Sequence, residues 1–94
     1  MKESTIEKHF VAKVKALGGV AYKFTSPARA AVPDRMFIRQ DGIVWFCEFK
    51  AAGKKPTPAQ EREHTRLREH KVNVFVIDNV IEGKTMIDVM VMGC

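Results

Sequence analysis

Two β-rich runs, Arg35 to Arg39 and Ile43 to Phe49, flank Gln40-Asp41-Gly42, where glycine offers the positive φ angle that a tight hairpin needs. The register of that hairpin decides which side chains meet. A two-residue Asp41-Gly42 loop pairs Gln40 with Ile43 and turns Asp34 away from Glu48. A three-residue loop with a left-handed Gly42 and a bulge pairs Arg39 with Ile43 and sets Asp34 directly across from Glu48. Asp34, Met36, Ile38, Val44, Phe46, Glu48 and Lys50 then share one face. The second register is predicted, because only that phase gathers three ionisable groups at the end of a coherent apolar face.

The rest of the chain supplies elements to pack on this hairpin. Ile6, Phe10, Val14 and Leu17 recur at helical spacing, which predicts a helix from about Thr5 to Leu17 with Ser4 as its N-cap and Gly18-Gly19 as its stop. Val20 to Thr25 alternates like a strand and ends at Ser26-Pro27, and a loop follows through Val32. After the linker Ala51 to Pro56, Thr57 and Pro58 open a helix reaching about His70, and Val72 to Ile77 reads as a buried strand. The tail from Asn79 to Cys94, rich in apolar residues that include Met86, Met90 and Met92, is expected to be helical and to serve as core or subunit contact. The order α-β-β-β-α-β-(α) gives an α/β fold with a mixed sheet flanked by helices, and the 94 residues are expected to form one domain over 1–94.

With 46% apolar residues and no low-complexity tract, the chain belongs to the ordinary globular class. Its net charge of +5 favours polyanionic partners. Cys47 lies in an apolar run and Cys94 is the last residue, so the two form no disulfide or metal-ligand framework, and a reducing compartment is expected. The first ten residues lack an apolar signal core and no stretch reaches a membrane span, which points to a soluble intracellular protein with no membrane partner. His9, His64 and His70 show no ligand spacing with one another or with cysteine, so surface or partly buried structural roles are expected for them rather than zinc.

The chemistry concentrates at Pro33-Asp34 and Glu48-Phe49-Lys50. Two carboxylates held close repel each other unless one takes a proton or a cation neutralises both, and Mg²⁺ prefers such oxygen ligands while keeping several waters. Glu48 and Lys50 project to the same face about 7 Å apart, so Lys50 can position an attacking water or steady charge building on a phosphate. The Phe49 backbone carbonyl between them is a further candidate ligand. The plain alternative makes Asp34 a turn residue after proline, Glu48 a solvated strand end and Lys50 its ion-pair partner.

Glu7 lies on the inward helical row with Val11 and Val14, where an acid needs a partner, but Ser4 and Glu7 also match the capping box S-x-x-E. Gln60 carries the same ambiguity within Thr57-Pro58-Ala59-Gln60, and one amide is not expected to serve both a cap and a site. Lys54, Lys55, Arg62, Arg66, Arg68 and Lys71, with Arg29 and Arg35 beside Pro33-Asp34, read either as a phosphate-binding rim or as a solvated face balanced by Glu61, Glu63 and Glu69.

Ile6-Glu7, Tyr22 to Pro27, Val32-Pro33-Asp34-Arg35, Phe46 to Ala51, Gly53 to Pro56 and Gln60, in this order and spacing, resemble the stand-alone virus-type replication-repair nuclease (VRR-NUC) domain, a branch of the PD-(D/E)XK nucleases. The resemblance runs from the first helix to about Asp78. It implies a restriction-endonuclease-like α-β-β-β-α-β core and a Mg²⁺- or Mn²⁺-dependent endonuclease hydrolysing DNA phosphodiesters. Branched DNA such as a Holliday junction or flap, a homodimer, a place in DNA repair and the cytoplasm of a bacterial or phage-infected cell go with it. The implied catalytic residues are Glu7, Asp34, Glu48, Lys50 and Gln60. Asp34, Glu48 and the Phe49 carbonyl would hold the metal, with Glu7 joining directly or through water, and Lys23, Ser26, Arg29, Arg35, Lys54 and Lys55 would meet DNA. The family often has glycines where this chain has Ala28 and Ala31, and alanine resists positive φ. Two readings of another kind compete: a catalytically silent dimer that binds branched DNA, and a structural subunit joined to a larger complex through its Met-rich tail.

Overall fold

A computed structural model describes residues 2–80. The elements run α1 (Glu3–Ala16), β1 (Val20–Lys23), β2 (Arg35–Ile38), β3 (Val44–Phe49), α2 (Pro58–Glu69) and β4 (Asn73–Ile77), which is the α-β-β-β-α-β order expected. The helix expected in the tail lies outside the described residues from position 81 onward. The sheet order is β1-β2-β3-β4. Its first three strands form an antiparallel meander, and α2 carries the chain over so that β4 pairs parallel to β3. No described helix is long and apolar enough to cross a membrane.

In α1 the four-residue spacing of Ile6, Phe10 and Val14 makes one buried stripe. Against it the sheet presents Phe37, Trp45, Cys47, Phe49 and Ile77. Phe49 is central, its ring 6.1 Å from Phe10 and 6.2 Å from Phe37 between centroids. The closed core therefore lies on the face opposite Asp34 and Glu48. On the Glu48 side Met36, Ile38, Val44 and Phe46 are only half-buried, because α2 packs toward the β4 side of the sheet.

The start of α1 differs from expectation. The Lys2 carbonyl accepts from the N–H groups of both Thr5 and Ile6, so the helix begins at Glu3 with Lys2 as a cap that offers no side-chain bond. Ser4 falls inside the first turn, and the Ser4–Glu7 capping box does not form. At the other end Gly18, at φ +82°, donates to the Lys15 carbonyl and Gly19 to that of Val14, a Schellman closure at the predicted stop. α2 ends the same way with Lys71 at φ +66°. Ala28 and Ala31 need no left-handed conformation, since Lys71 alone among the described non-glycine residues takes one.

The hairpin adopts the predicted register. Arg39 N–H donates to the Ile43 carbonyl at 2.8 Å and Gly42 N–H to the Arg39 carbonyl at 2.9 Å, closing a three-residue loop with Gly42 at φ +90°. The pairs then run from Ile38–Val44 to Arg35–Cys47. One step further along the same register Asp34 faces Glu48.

Candidate active site

Pro33 ends the β2–β3 ladder, because it has no N–H to offer to the Phe49 carbonyl across from it. The ladder's other bond at this point is replaced: Phe49 N–H donates instead to Asp34 Oδ2 at 2.9 Å. A single Pro-Asp step thus pins the Asp34 carboxylate at the end of β3 and leaves the Phe49 carbonyl without a ladder donor from β2.

Glu48 is 1% exposed. Gln60 Nε2 donates to its Oε2 at 3.3 Å, Lys50 Nζ lies 3.6 Å from that same oxygen, and His64 Nε2 lies 3.7 Å from Oε1. Burial, followed by the negative charge of Asp34 and a hydrogen bond shared with it, pushes the Glu48 carboxyl up to about 8, with the Lys50 charge acting in the opposite direction. Glu48 Oε1 is buried with no hydrogen-bond partner. His64 is held below its ordinary pKa by burial, then by the Arg68 and Lys50 charges.

Gln60 fills two roles, contrary to the expectation that it would have to choose. Its Oε1 accepts from Thr57 N–H at 2.9 Å and its own N–H donates to Thr57 Oγ1 at 3.2 Å, completing the capping box, while its Nε2 faces Glu48. The amide's acceptor and donor ends point in different directions, so the cap fixes the donor that holds Glu48.

Glu7, released from capping, accepts from Arg35 Nε at 2.6 Å. Both residues lie on the α1 side of the sheet end, with Glu7 at 18% side-chain exposure. Arg29 Nε donates to Glu63 Oε1 at 2.7 Å, and Glu63 is buried. The Arg29 and Arg35 guanidiniums are therefore engaged by carboxylates, and Arg29 ties the loop before Pro33 to α2. Replacing Arg29 by Ala strands the Glu63 charge in a closed site. Because Arg29 is itself half exposed, the cost is expected to be about 1–3 kcal/mol, read as a fall of roughly 5–15 °C in Tm, and Glu63→Gln in the same background should recover most of it.

Lys23, Ser26, Arg29 and Asp34 line a cavity of about 300 Å³ beside the carboxylates. Exposed Lys54 and Lys55 line another of about 420 Å³ on the far side of His64, together with Arg68. Five of the six residues predicted to face DNA thus fall into two groups, Lys23, Ser26 and Arg29 beside Asp34 and Lys54 and Lys55 beside His64, while Arg35 lies with Glu7 on the α1 side.

No profile of a known protein family matches the chain. A solved structure described as a VRR_NUC domain superposes with a TM-score of 0.87 at 35% identity, covering 94% of this chain and 96% of that one. A protein of Acyrthosiphon pisum secondary endosymbiont phage 1 named "Putative nuclease p44" is 49% identical over 79 residues, 84% of this chain and 85% of that protein. The chain belongs to the VRR-NUC nuclease family. Its restriction-endonuclease-like architecture accompanies that membership.

The donor set of this VRR-NUC chain suits a hard divalent cation. Asp34 and Glu48 are opposed carboxylates whose repulsion a cation relieves, and Glu48 Oε1 is a buried oxygen without a partner. Among the described residues no three His, Cys, Asp or Glu side chains form a closed cation cage. That is compatible with Mg²⁺, which is usually held by one or two carboxylates and completed by water and substrate phosphate. The residue at this site that sequence reasoning passed over is His64. Its signal was its position one helical turn after Gln60, on the same face of α2.

Proposed function

We propose that the chain is a Mg²⁺- or Mn²⁺-dependent endonuclease that hydrolyses DNA phosphodiesters and selects branched forms such as a Holliday junction or flap. It works as a homodimer in DNA repair within the cytoplasm of a bacterial or phage-infected cell. The observation that carries this reading is the opposition of Asp34 and buried Glu48 across adjacent strands, with Lys50 Nζ 3.6 Å from Glu48. Asp34, Glu48 and the Phe49 carbonyl would hold the ion. When bound, the ion neutralises phosphate charge and acidifies water. Lys50 holds the attacking water in line and steadies the charge that grows as the P–O ester bond breaks. Gln60 keeps Glu48 turned toward the site. Glu7 sets the position of Arg35 and would join the ion directly or through water. Lys23 and Ser26 on one flank, with Lys54 and Lys55 on the other, guide the backbone of the DNA. Val20 and Tyr22, 41% and 58% exposed on one face of edge strand β1, support self-association.

Labelled four-way junction, flap, fork, duplex and single-stranded DNA, each incubated with Mg²⁺, Mn²⁺, Ca²⁺ or a chelator, test the proposal beside a solution mass measurement. Cleavage of branched DNA with Mg²⁺ or Mn²⁺ and none with chelator is expected. Salt-sensitive binding without cutting under every ion would instead establish a silent DNA-binding module.

A further inference from the structure

Three polar side chains are buried among the described residues: Glu48, Glu63 and His64. Glu63 has Arg29. The other two face each other, with Glu48 Oε1 and His64 Nε2 both shut off from solvent, both without a hydrogen-bond partner, and 3.7 Å apart. Each unmade buried bond costs about 1–3 kcal/mol, so two facing unmade bonds mark an arrangement completed by something further. α2 sets the geometry. Gln60 and His64 are four residues apart and lie on one helix face, so Gln60 Nε2 engages Glu48 Oε2 while His64 Nε2 addresses Oε1.

We propose that His64 is a positioning residue for the cation site, donating from Nε2 to Glu48 Oε1 so that both carboxylate oxygens are oriented from α2 and their remaining lone pairs face Asp34. Closing the gap to an ordinary hydrogen bond takes a movement of under about 1 Å. The inference rests on the metal-dependent reading above. Its physical basis is that a ligating carboxylate keeps its orientation through outer hydrogen bonds, whose removal costs about 10–100-fold in metal affinity. The capped first turn of α2 makes this rigid: Thr57 fixes Gln60, and the next turn of the same helix carries His64.

The test measures Mn²⁺ affinity by electron paramagnetic resonance, and the Mg²⁺ concentration giving half-maximal cleavage, for the wild type, His64→Leu and His64→Gln. His64→Leu is expected to weaken Mn²⁺ binding about 10–100-fold and to raise the half-maximal Mg²⁺ concentration in parallel, with kcat at saturating metal within about threefold of wild type. His64→Gln, which keeps an N–H donor, recovers most of the affinity. His64→Phe preserves ring volume and reads the same loss should leucine pack poorly. Equal Mn²⁺ affinity in wild type and in His64→Leu or His64→Phe overturns the role of His64 while leaving the metal-dependent reading intact. A wild-type chain that takes up no Mn²⁺ overturns that reading and this inference with it.

Discussion

Glu48→Gln should yield a folded protein that cleaves DNA at least about 10³-fold more slowly with Mg²⁺, and that melts higher than wild type in metal-free buffer at pH 8. The loss of rate follows from removing the proposed charged ligand, where several kcal/mol of transition-state stabilisation correspond to several decades. The gain in stability follows from the environment of Glu48. Folded, its carboxyl is raised to about 8, largely by burial and then by Asp34. Unfolded, it ionises near the ordinary value of about 4.3. The folded chain thus holds the proton more tightly, and the stability associated with it is fully present below the unfolded value. It is lost as pH rises toward 8, at most about 1.4 kcal/mol per pH unit. A glutamine amide donates to Asp34 at every pH and should flatten this slope, with a gain of roughly 1 kcal/mol, or about 4–8 °C, at pH 8. Thermal melts from pH 4.5 to 8 in chelator check it. A variant that keeps its activity, or a wild type whose metal-free stability rises across that window, contradicts this assignment of Glu48.

Lys50→Ala should lower kcat by about 10²–10³-fold while leaving the half-maximal Mg²⁺ concentration within about threefold, because the role proposed for Lys50 is to act on water and developing charge without ligating the ion. The ammonium lies 3.6 Å from Glu48 Oε2 at 14% side-chain exposure, and its charge is what holds the Glu48 carboxyl down against burial and Asp34. Removing it raises that carboxyl further and extends the loss of metal-free stability to higher pH. Lys50→Arg should restore the stability profile but little of the rate, since a planar fork does not reproduce a compact point charge. Single-turnover cleavage across a Mg²⁺ series separates the two effects. Loss of metal affinity equal to the loss of rate would make Lys50 a site-shaping residue instead.

The hairpin register was legible because Gly42 could take the positive φ that a three-residue loop demands, and because side-chain alternation tied that phase to a coherent face. The stripe Ile6, Phe10, Val14 was legible for the same reason: periodicity reports burial. The capping box at Ser4–Glu7 misled because a local pattern does not say which carbonyl will accept the first helical N–H groups, and here Lys2 supplies it. Gln60 was seen as one group with one role, although its amide has two ends. The pairings of Arg29 with Glu63 and Arg35 with Glu7 join residues 34 and 28 positions apart, and no local pattern announces them. His64 escaped for a related reason. Ligand-spacing rules look for partners along the chain, whereas its partner is a strand carboxylate across the sheet face.

Anomalous diffraction from crystals equilibrated with Mn²⁺ puts the metal site to a direct test. A single strong peak between the carboxylates of Asp34 and Glu48, about 2.0–2.3 Å from an oxygen of each and within reach of the Phe49 carbonyl, is the expected result. Crystals saturated with Mn²⁺ that show no peak there, with Asp34 and Glu48 still opposed across the strands, would contradict it.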